Sequence, residues 1–432
     1  MTVSVATLRP GRGVPLPDAE ARERLVRRRV GIVWGLLVLN VVGYTGLLVH
    51  VPGAFGKAIT QGALPVAILL ALTINRRVVV RPNVFLCLAF LLAVEAVVTA
   101  LQPHTLGTFY RTFRMIEFVA ALWLLTPWWG RSDLLLVRCH LKALAVVLGS
   151  VLLGVLVAPN KAIGSGRLIG VLWAVPAAQV AHYAAVIFGV TAVLWSCGKL
   201  PGRLTLIIVS ASGIILITTR ARTALIAMVA GLLVAGLSLI VARARVRKLF
   251  AVAGVVTAIA VMTLSGFLAN FLARGQSGQE LTNLTGRTAV WGPLLAFPRD
   301  KFQEIFGFGL SNDSFNGLPI DSNWLASYQA QGLYGVVVCA TMLVFLLALA
   351  YFHTRGVQRA LALFLVTYCL VASFTEVGFT GPSPYLLELA LAASVLITPA
   401  TARSPARSYP SALSRDIMRL LAADQPIQVR TS

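Results

Sequence analysis

Charged residues are scarce in this sequence, and acidic residues are the scarcer kind. Only 12% of the 432 residues are charged, against roughly 25% in a typical soluble domain. The chain has 15 acidic residues and 5 cysteines, and no two cysteines form a Cys-x-x-Cys pair. These shortages exclude a soluble enzyme, a secreted disulfide scaffold and a disordered regulator. They predict neither a disulfide framework nor a metal site.

Long apolar runs take the place of the missing charge. The sequence is 58% hydrophobic, and its mean hydropathy is +0.83. The runs are roughly 20 residues long, the length of a helix that crosses a bilayer. We therefore predict an all-α, polytopic integral membrane protein with about twelve spans. The predicted spans are 30–50, 57–75, 83–101, 112–128, 141–158, 172–196, 204–219, 223–242, 249–272, 333–352, 359–375 and 384–399.

The distribution of Lys and Arg predicts which side each loop faces. With the N-terminus inside, most of the 37 basic residues fall in cytoplasmic loops, as the positive-inside rule requires. No cleavable signal peptide is predicted before the first span. The predicted organisation is a basic cytoplasmic segment at 1–29, nine spans over 30–272, an extracytoplasmic loop domain at 273–332, three spans over 333–399 and a basic cytoplasmic tail at 400–432.

The net charge of +22 has two interpretations, nucleic-acid binding or contact with an anionic membrane surface. No basic globular domain is visible, so we expect no nucleic-acid partner. Lys and Arg that flank membrane helices bind the anionic inner leaflet, which makes membrane lipid the expected partner.

The basic residues predicted to lie outside are the more informative ones. An arginine at the outer end of a helix does not contact the anionic inner leaflet, so that leaflet does not explain its presence. Charged residues within a membrane are usually functional. The guanidinium fork binds phosphate, pyrophosphate or carboxylate through paired hydrogen bonds. The outer set comprises Lys57, Arg111, Arg114, Lys161, Arg167, Arg220, Arg222, Arg274, Arg287, Arg299 and Lys301.

The long outer loop carries its own local signals. Thr288–Phe297 is predicted as a short amphipathic helix that ends at Pro298. Gly307-Phe308-Gly309 predicts a turn. Ser322–Gln331 predicts a helix that leads into the tenth span, with Asp321 or Ser322 as its N-cap. A loop of this length in a compact fold is usually functional.

Several short constellations are candidates for chemistry, and each has a structural alternative. Thr218–Ala224 holds Arg220 and Arg222, and the alternative is a turn with two snorkelling arginines. Gly286–Trp291 has a surface helix start as its alternative, and Asp321–Trp324 a capped helix. The remaining candidates are Arg111 with Arg114 one helical turn apart, Gly166–Gly170, and Glu376. His104, His182 and His353 are predicted to be structural.

The order of these motifs resembles that of the O-antigen ligase and polymerase family of bacterial cell-envelope enzymes, over roughly residues 160–395. Ala221-Arg222-Thr223-Ala224 matches the family's Ser-Arg-small-Ala turn, and Gly286-Arg287 with Trp291 matches its Gly-Arg-x-x-x-Trp. Gly307–Gly309 matches its Gly-aromatic-Gly, and Gly166–Gly170 its Gly-Arg-x-x-Gly. Many members carry His directly before the loop Asn. Here Ser322 holds that position, with Asp321 one residue earlier, which favours a polymerase or an unusual acceptor over a strict lipid A–core ligase.

The resemblance implies a membrane glycosyltransferase of the GT-C-like class, active on the outer face of the bacterial cytoplasmic membrane. Its donor would be a polyprenyl-diphosphate-linked glycan and its acceptor a glycan or glycolipid, with neither metal nor cofactor. From the resemblance and from position, the catalytic candidates are Arg222, Arg287, Asp321 and Glu376. The substrate-binding candidates are Arg220, Arg167, Arg111, Arg114, Trp291 and Asn323.

A transporter or flippase of lipid-linked glycans is the alternative. A flippase should carry charge deep inside its spans to line a path. The mid-span charges noted in the sequence are chiefly Glu95 and Glu117, while arginines gather at the outer helix mouths. This distribution favours the enzyme.

Overall fold

The computed structural model is mostly α-helical in the part of the chain that it describes. It describes residues 17–42, 53–101, 106–163, 166–240, 243–252, 255, 288–310 and 314–397. The helices are α1 (Pro17–Asn40), α2 (Gly53–Ile74), α3 (Val84–Ala100), α4 (Leu106–Leu124), α5 (Leu135–Val157), α6 (Pro159–Ile163), α7 (Ala177–Ser196), α8 (Gly202–Thr219), α9 (Arg222–Leu239), α10 (Thr288–Ala296), α11 (Lys301–Phe306), α12 (Asn323–Phe352), α13 (Val357–Ala372) and α14 (Pro384–Leu396). A 3-10 turn covers Thr126–Trp128, and β1 (Ser314–Phe315) pairs antiparallel with β2 (Leu318–Pro319). The all-α prediction is confirmed.

Six helices are long and apolar enough to span a membrane, by length and composition. They are α2, α5, α7, α8, α9 and α12, and α3, α13 and α14 are shorter apolar helices. Apart from α12, each of these helices has bounds within about six residues of a predicted span. The ninth predicted span, 249–272, lies mostly outside the described residues, and residues 273–287 and the tail at 400–432 lie wholly outside them.

Two helices extend beyond their predicted spans. The first helix begins at Pro17, inside the basic segment, where Glu20 pairs with Arg24 and Glu23 with Arg27. Acid–base pairs at this i,i+4 spacing support a helix even where it is polar. The helix α12 joins the predicted loop helix to the tenth span.

Hydrogen bonds between helix termini define two ends of the bundle. At the first end, Asn40 bonds Thr60 and Arg114, and Thr223 bonds Thr375. Segments 288–310 and 314–322 connect to this end through the start of α12. We call this end of the bundle the loop end. At the opposite end Glu23 pairs with Arg131.

The last helix, α14, lies at the centre of the described bundle. Its residues from Leu386 to Leu396 are all buried, and it packs against α1, α3, α5, α12 and α13. Around it, α13 crosses α7 and α9 closely, because Phe364 lies where a side chain on Gly189 or Gly231 would stand. Small residues at such crossings are typical of membrane helix packing.

The outer segment contacts α12 beside a kink at Gly332. Gly332 has φ +61° inside an otherwise helical run. Phe308 and Gly309 donate their backbone N–H groups to the carbonyls of Gln329 and Ala330, at 2.9 and 2.8 Å. The predicted Gly-Phe-Gly turn is therefore a docking element, and it binds carbonyls just before the kink.

Candidate functional site

Two of the predicted arginine motifs are neighbours at the loop end. Arg220 ends α8 in the left-handed region, with φ +51°, and Arg222 begins α9. The Nε of Arg167 donates to the carbonyl of Thr219 at 3.1 Å, and the amide of Leu168 donates to Thr218 at 3.2 Å. The segment that contains Arg167 thus lies directly against the turn between α8 and α9.

The loop 373–383, between α13 and α14, touches this turn. The hydroxyls of Thr223 and Thr375 lie 2.7 Å apart. Glu376, the next residue, is half-buried. Arg222 directly precedes Thr223, and Glu376 directly follows Thr375. The two candidate residues therefore lie beside the two members of one hydrogen-bonded pair.

The same loop lines a small pocket with Arg111 and Arg114. The pocket has a volume of about 150 Å³, and residues 377, 378 and 380–383 form one wall. Arg114 is fixed in place because its Nη2 donates to Asn40 Oδ1 at 2.8 Å. Its Nε is buried and has no hydrogen-bond partner among the described residues. Arg111 and Arg114, one helical turn apart, therefore both line one pocket.

Asn323 holds the loop against the start of α12. Its side chain is 1% exposed, and its Oδ1 accepts hydrogen bonds from the amides of Gly378 and Phe379, at 3.1 and 2.8 Å. Its own amide donates to the carbonyl of Ser373 at 2.9 Å. These bonds give Asn323 a positioning role for the loop that connects the two arginine groups.

Asp321 lies two residues before Asn323, just ahead of the start of α12. Its φ is +44°, and the N-cap position of α12 belongs to Ser322, whose side chain makes no capping bond. Of the two predicted caps, Asp321 is therefore wrong. Trp291 donates its indole N–H to the carbonyl of Ile320 at 2.9 Å, so it supports the chain just before Asp321.

A search of known protein families gives no match to this chain, and a search of curated proteins finds no similar sequence.

Nine of the ten predicted site residues are described, and they gather around the loop end. The tenth, Arg287, lies outside the described residues. Arg299 also lies at this end. Its guanidinium stacks over Tyr328 at 4.2 Å and donates to Gln329 Oε1 at 2.8 Å. Burial lowers the pKa of Arg299. It docks the outer segment onto α12.

The sequence analysis missed a buried polar cluster in the middle of the bundle. Glu388 on α14 is 0% exposed, and its Oε1 lies 2.8 Å from Nε2 of His182 and 3.9 Å from Nε2 of His140. The indole N–H of Trp34 donates to His140 Nδ1 at 3.1 Å. The signal was a lone Glu in an otherwise apolar helix. No three acidic, His or Cys side chains among the described residues form a metal-binding group.

Proposed function

We propose that this chain is a membrane glycosyltransferase of the O-antigen ligase/polymerase type, with about twelve spans and its loop end on the outer face of the bacterial cytoplasmic membrane. It transfers or polymerises a polyprenyl-diphosphate-linked oligosaccharide onto a glycan or glycolipid acceptor. The carrying observation is that one short loop, 373–383, adjoins two groups of arginines. Arg111 and Arg114 line a pocket with it, and Thr375 in the loop bonds Thr223, beside the turn that holds Arg220 and Arg222 and that Arg167 contacts.

The reaction requires positive charge at the leaving group. The acceptor hydroxyl oxygen attacks the anomeric carbon, the bond from that carbon to the diphosphate oxygen breaks, and polyprenyl diphosphate leaves with the electron pair. Fixed guanidinium groups stabilise the charge that develops there. Removal of one such donor typically costs about 2.7–4 kcal/mol of transition-state stabilisation.

A carboxylate receives the proton of the hydroxyl. Asp321 and Glu376 are the candidates, and each is two residues from the Asn323–Gly378 hydrogen bond. Both are half-buried at the loop end. A general base must reach the hydroxyl through one hydrogen bond or one water. In support of this role, the two carboxylates lie in the two segments that the Asn323–Gly378 hydrogen bond joins.

The apolar surface beside the arginine turn suits the polyprenyl tail. Ile214 and Ile217 on α8 are 64% and 57% exposed, and Ile226 and Val229 on α9 are 55% and 46% exposed. These pairs are three residues apart, so each occupies one helix face. Their faces border the turn that carries Arg220 and Arg222. A lipid tail along them would place its diphosphate at the arginines.

The test is glycan transfer by the purified protein in proteoliposomes, with the lipid-linked donor that accumulates in cells lacking this gene. We expect Arg222→Ala and Arg222→Lys each to lower transfer about a hundredfold or more, since lysine lacks the guanidinium fork. Arg138→Ala, an exposed arginine at the opposite end, is the matched control. Wild-type transfer by both Arg222 variants and by Arg167→Ala would refute the donor site.

A flippase remains the second candidate, because the Glu388–His182 pair is buried in the bundle. Ionisable groups inside membrane helices commonly line transport paths or relay protons. The same proteoliposomes separate the two functions. An enzyme releases polyprenyl diphosphate from its donor, whereas a flippase moves the intact donor between leaflets. Donor that crosses unbroken, with loss of crossing in Glu388→Gln, would replace the enzyme by the flippase.

A further inference from the structure

A large basic groove lies at the opposite end of the bundle from the candidate site. Its volume is about 830 Å³, and it is formed by the start of α1, the end of α2 with the turn that follows, and the 3-10 turn after α4. Five arginines line it, namely Arg22, Arg29, Arg76, Arg77 and Arg81. None of the described residues that line it is acidic.

These arginines differ from their neighbours in their partners. Arg24, Arg27 and Arg131 at the same end all form ion pairs with carboxylates, at 2.9 to 3.4 Å. None of the five groove arginines pairs with an acidic residue whose side chain the structure describes. Glu20, Glu23 and Asp133 near this end pair with other arginines, so they leave the positive charge of the groove for an external anion.

The groove is held in shape by hydrogen bonds at its base. The side chain of Asn75 donates to the carbonyls of Val79 and Leu124, at 2.8 and 3.1 Å, and accepts from the amide of Val79 at 2.8 Å. The amide of Arg81 donates to Thr126 Oγ1 at 2.9 Å. The turn that carries three of the arginines is therefore fixed to the end of α4 before any ligand binds.

The other half of the groove is apolar and continues along an exposed helix face. Leu25, Val26 and Ile74 line the groove beside the arginines. On α2, Val66 and Leu69 are 52% and 64% exposed. They stand on the same helix face as Thr73, which lines the groove. An apolar strip thus runs from the middle of α2 down to the arginines.

We propose that this groove binds the headgroup of an anionic phospholipid. The arginines hold the phosphodiester, and the acyl chains lie along the exposed face of α2. Arginine forks match phosphate oxygens geometrically, and basic pockets between membrane helices are suited to anionic headgroups. A free phosphate has no apolar group to pack against the apolar strip, and it fills little of the groove. The lipid is therefore the better occupant. This site is separate from the proposed function and does not depend on it.

The test uses the full-length protein exchanged into vesicles of dioleoylphosphatidylcholine with dioleoylphosphatidylglycerol, followed by native mass spectrometry of retained lipid. We expect wild type to retain phosphatidylglycerol over phosphatidylcholine. Each arginine removed should weaken this preference about fivefold, so Arg76→Gln, Arg77→Gln and Arg81→Gln combined should abolish it. Arg138→Gln, an exposed arginine at the same end but outside the groove, makes a single equal charge change and should keep it.

Two further measurements complete the test, one on a single variant and one with inorganic phosphate as competitor. The single variant Arg77→Gln removes an exposed side chain, so it tests binding even if the triple variant unfolds, and it should show the fivefold loss alone. An excess of inorganic phosphate should leave the lipid bound. Unchanged phosphatidylglycerol retention in Arg77→Gln, or equal loss in Arg138→Gln, would overturn the proposal. Displacement by phosphate would assign the groove to a small anion instead.

Discussion

At the scale of single residues, the candidate site depends on one amide oxygen. Asn323 Oδ1 accepts from two consecutive backbone amides of the loop between α13 and α14. That loop also contacts Thr223 and forms one wall of the Arg111–Arg114 pocket. The relative position of the two arginine groups is therefore set partly by a residue that carries no charge.

Replacement of Asn323 should separate loop position from charge. In Asn323→Ala two loop amides lose their acceptor, which should destabilise the protein by about 2–6 kcal/mol at about 1–3 kcal/mol for each buried unsatisfied group. Asn323→Asp keeps the acceptor and should lose less. Thermal unfolding of the purified protein measures both. Equal stability of Asn323→Ala and wild type would show that the loop is held by other contacts.

The two candidate carboxylates should differ in their response to neutralisation. Asn tolerates the left-handed backbone of Asp321 (φ +44°), so Asp321→Asn should remain folded and inserted. If Asp321 takes the proton, this variant should lose most glycan transfer while Glu376→Gln retains it. The opposite pattern would assign the role to Glu376. Full transfer by both variants would remove both carboxylates from the mechanism.

At the scale of secondary structure, sequence patterns located the apolar helices but not the shortest elements between them. Runs of about 20 apolar residues are long enough to identify a helix on their own. The helix α10 was also predicted, because Pro298 ends it. The short helix α11 depends on a capping box between Asp300 and Gln303, and β1 and β2 are two residues each. Elements this short are formed by local capping and turns, which periodicity does not reveal.

The kink in α12 gives a prediction for a whole element. A Cβ on Gly332 would overlap the backbone of Ile305, and its φ of +61° disfavours any side chain. We expect Gly332→Ala to destabilise the protein by about 2 kcal/mol or more, from backbone strain and overpacking together. Gly62→Ala on α2, where an added Cβ meets nothing within 4 Å, is the control. Thermal unfolding compares them, and equal effects would contradict the docking role of the kink.

At the scale of the whole molecule, the sequence predicted which segments carry the site but not how they meet. The Arg167, Arg222 and Arg114 segments were singled out because outer arginines oppose the charge rule. Their convergence depends on helix packing between residues far apart in sequence, such as Thr223 and Thr375. The Glu388–His182–His140 cluster was missed for the same reason, since its members lie on three different helices.

The proposed orientation can be tested with one exposed loop residue. Asn316, in the turn between β1 and β2, is exposed at the loop end. In a Cys87→Ala background, which removes the exposed native thiol, Asn316→Cys should react with a membrane-impermeant maleimide in spheroplasts. Arg77→Cys at the opposite end should react only after lysis. Reversed labelling would invert the topology.

The ion pairs at the opposite end also bear on how the protein is made. Glu23 and Arg27 lie one turn apart in α1, so they pair as soon as that helix forms on the ribosome. Their other partners, Arg131 and Asp133, are synthesised much later, since Arg131 follows Glu23 by 108 residues. Under the proposed topology, α1 must therefore take its orientation during insertion from its own charges. The arrival of Arg131 and Asp133 then fixes that orientation, because reversal of α1 would have to break the ion pairs that they complete.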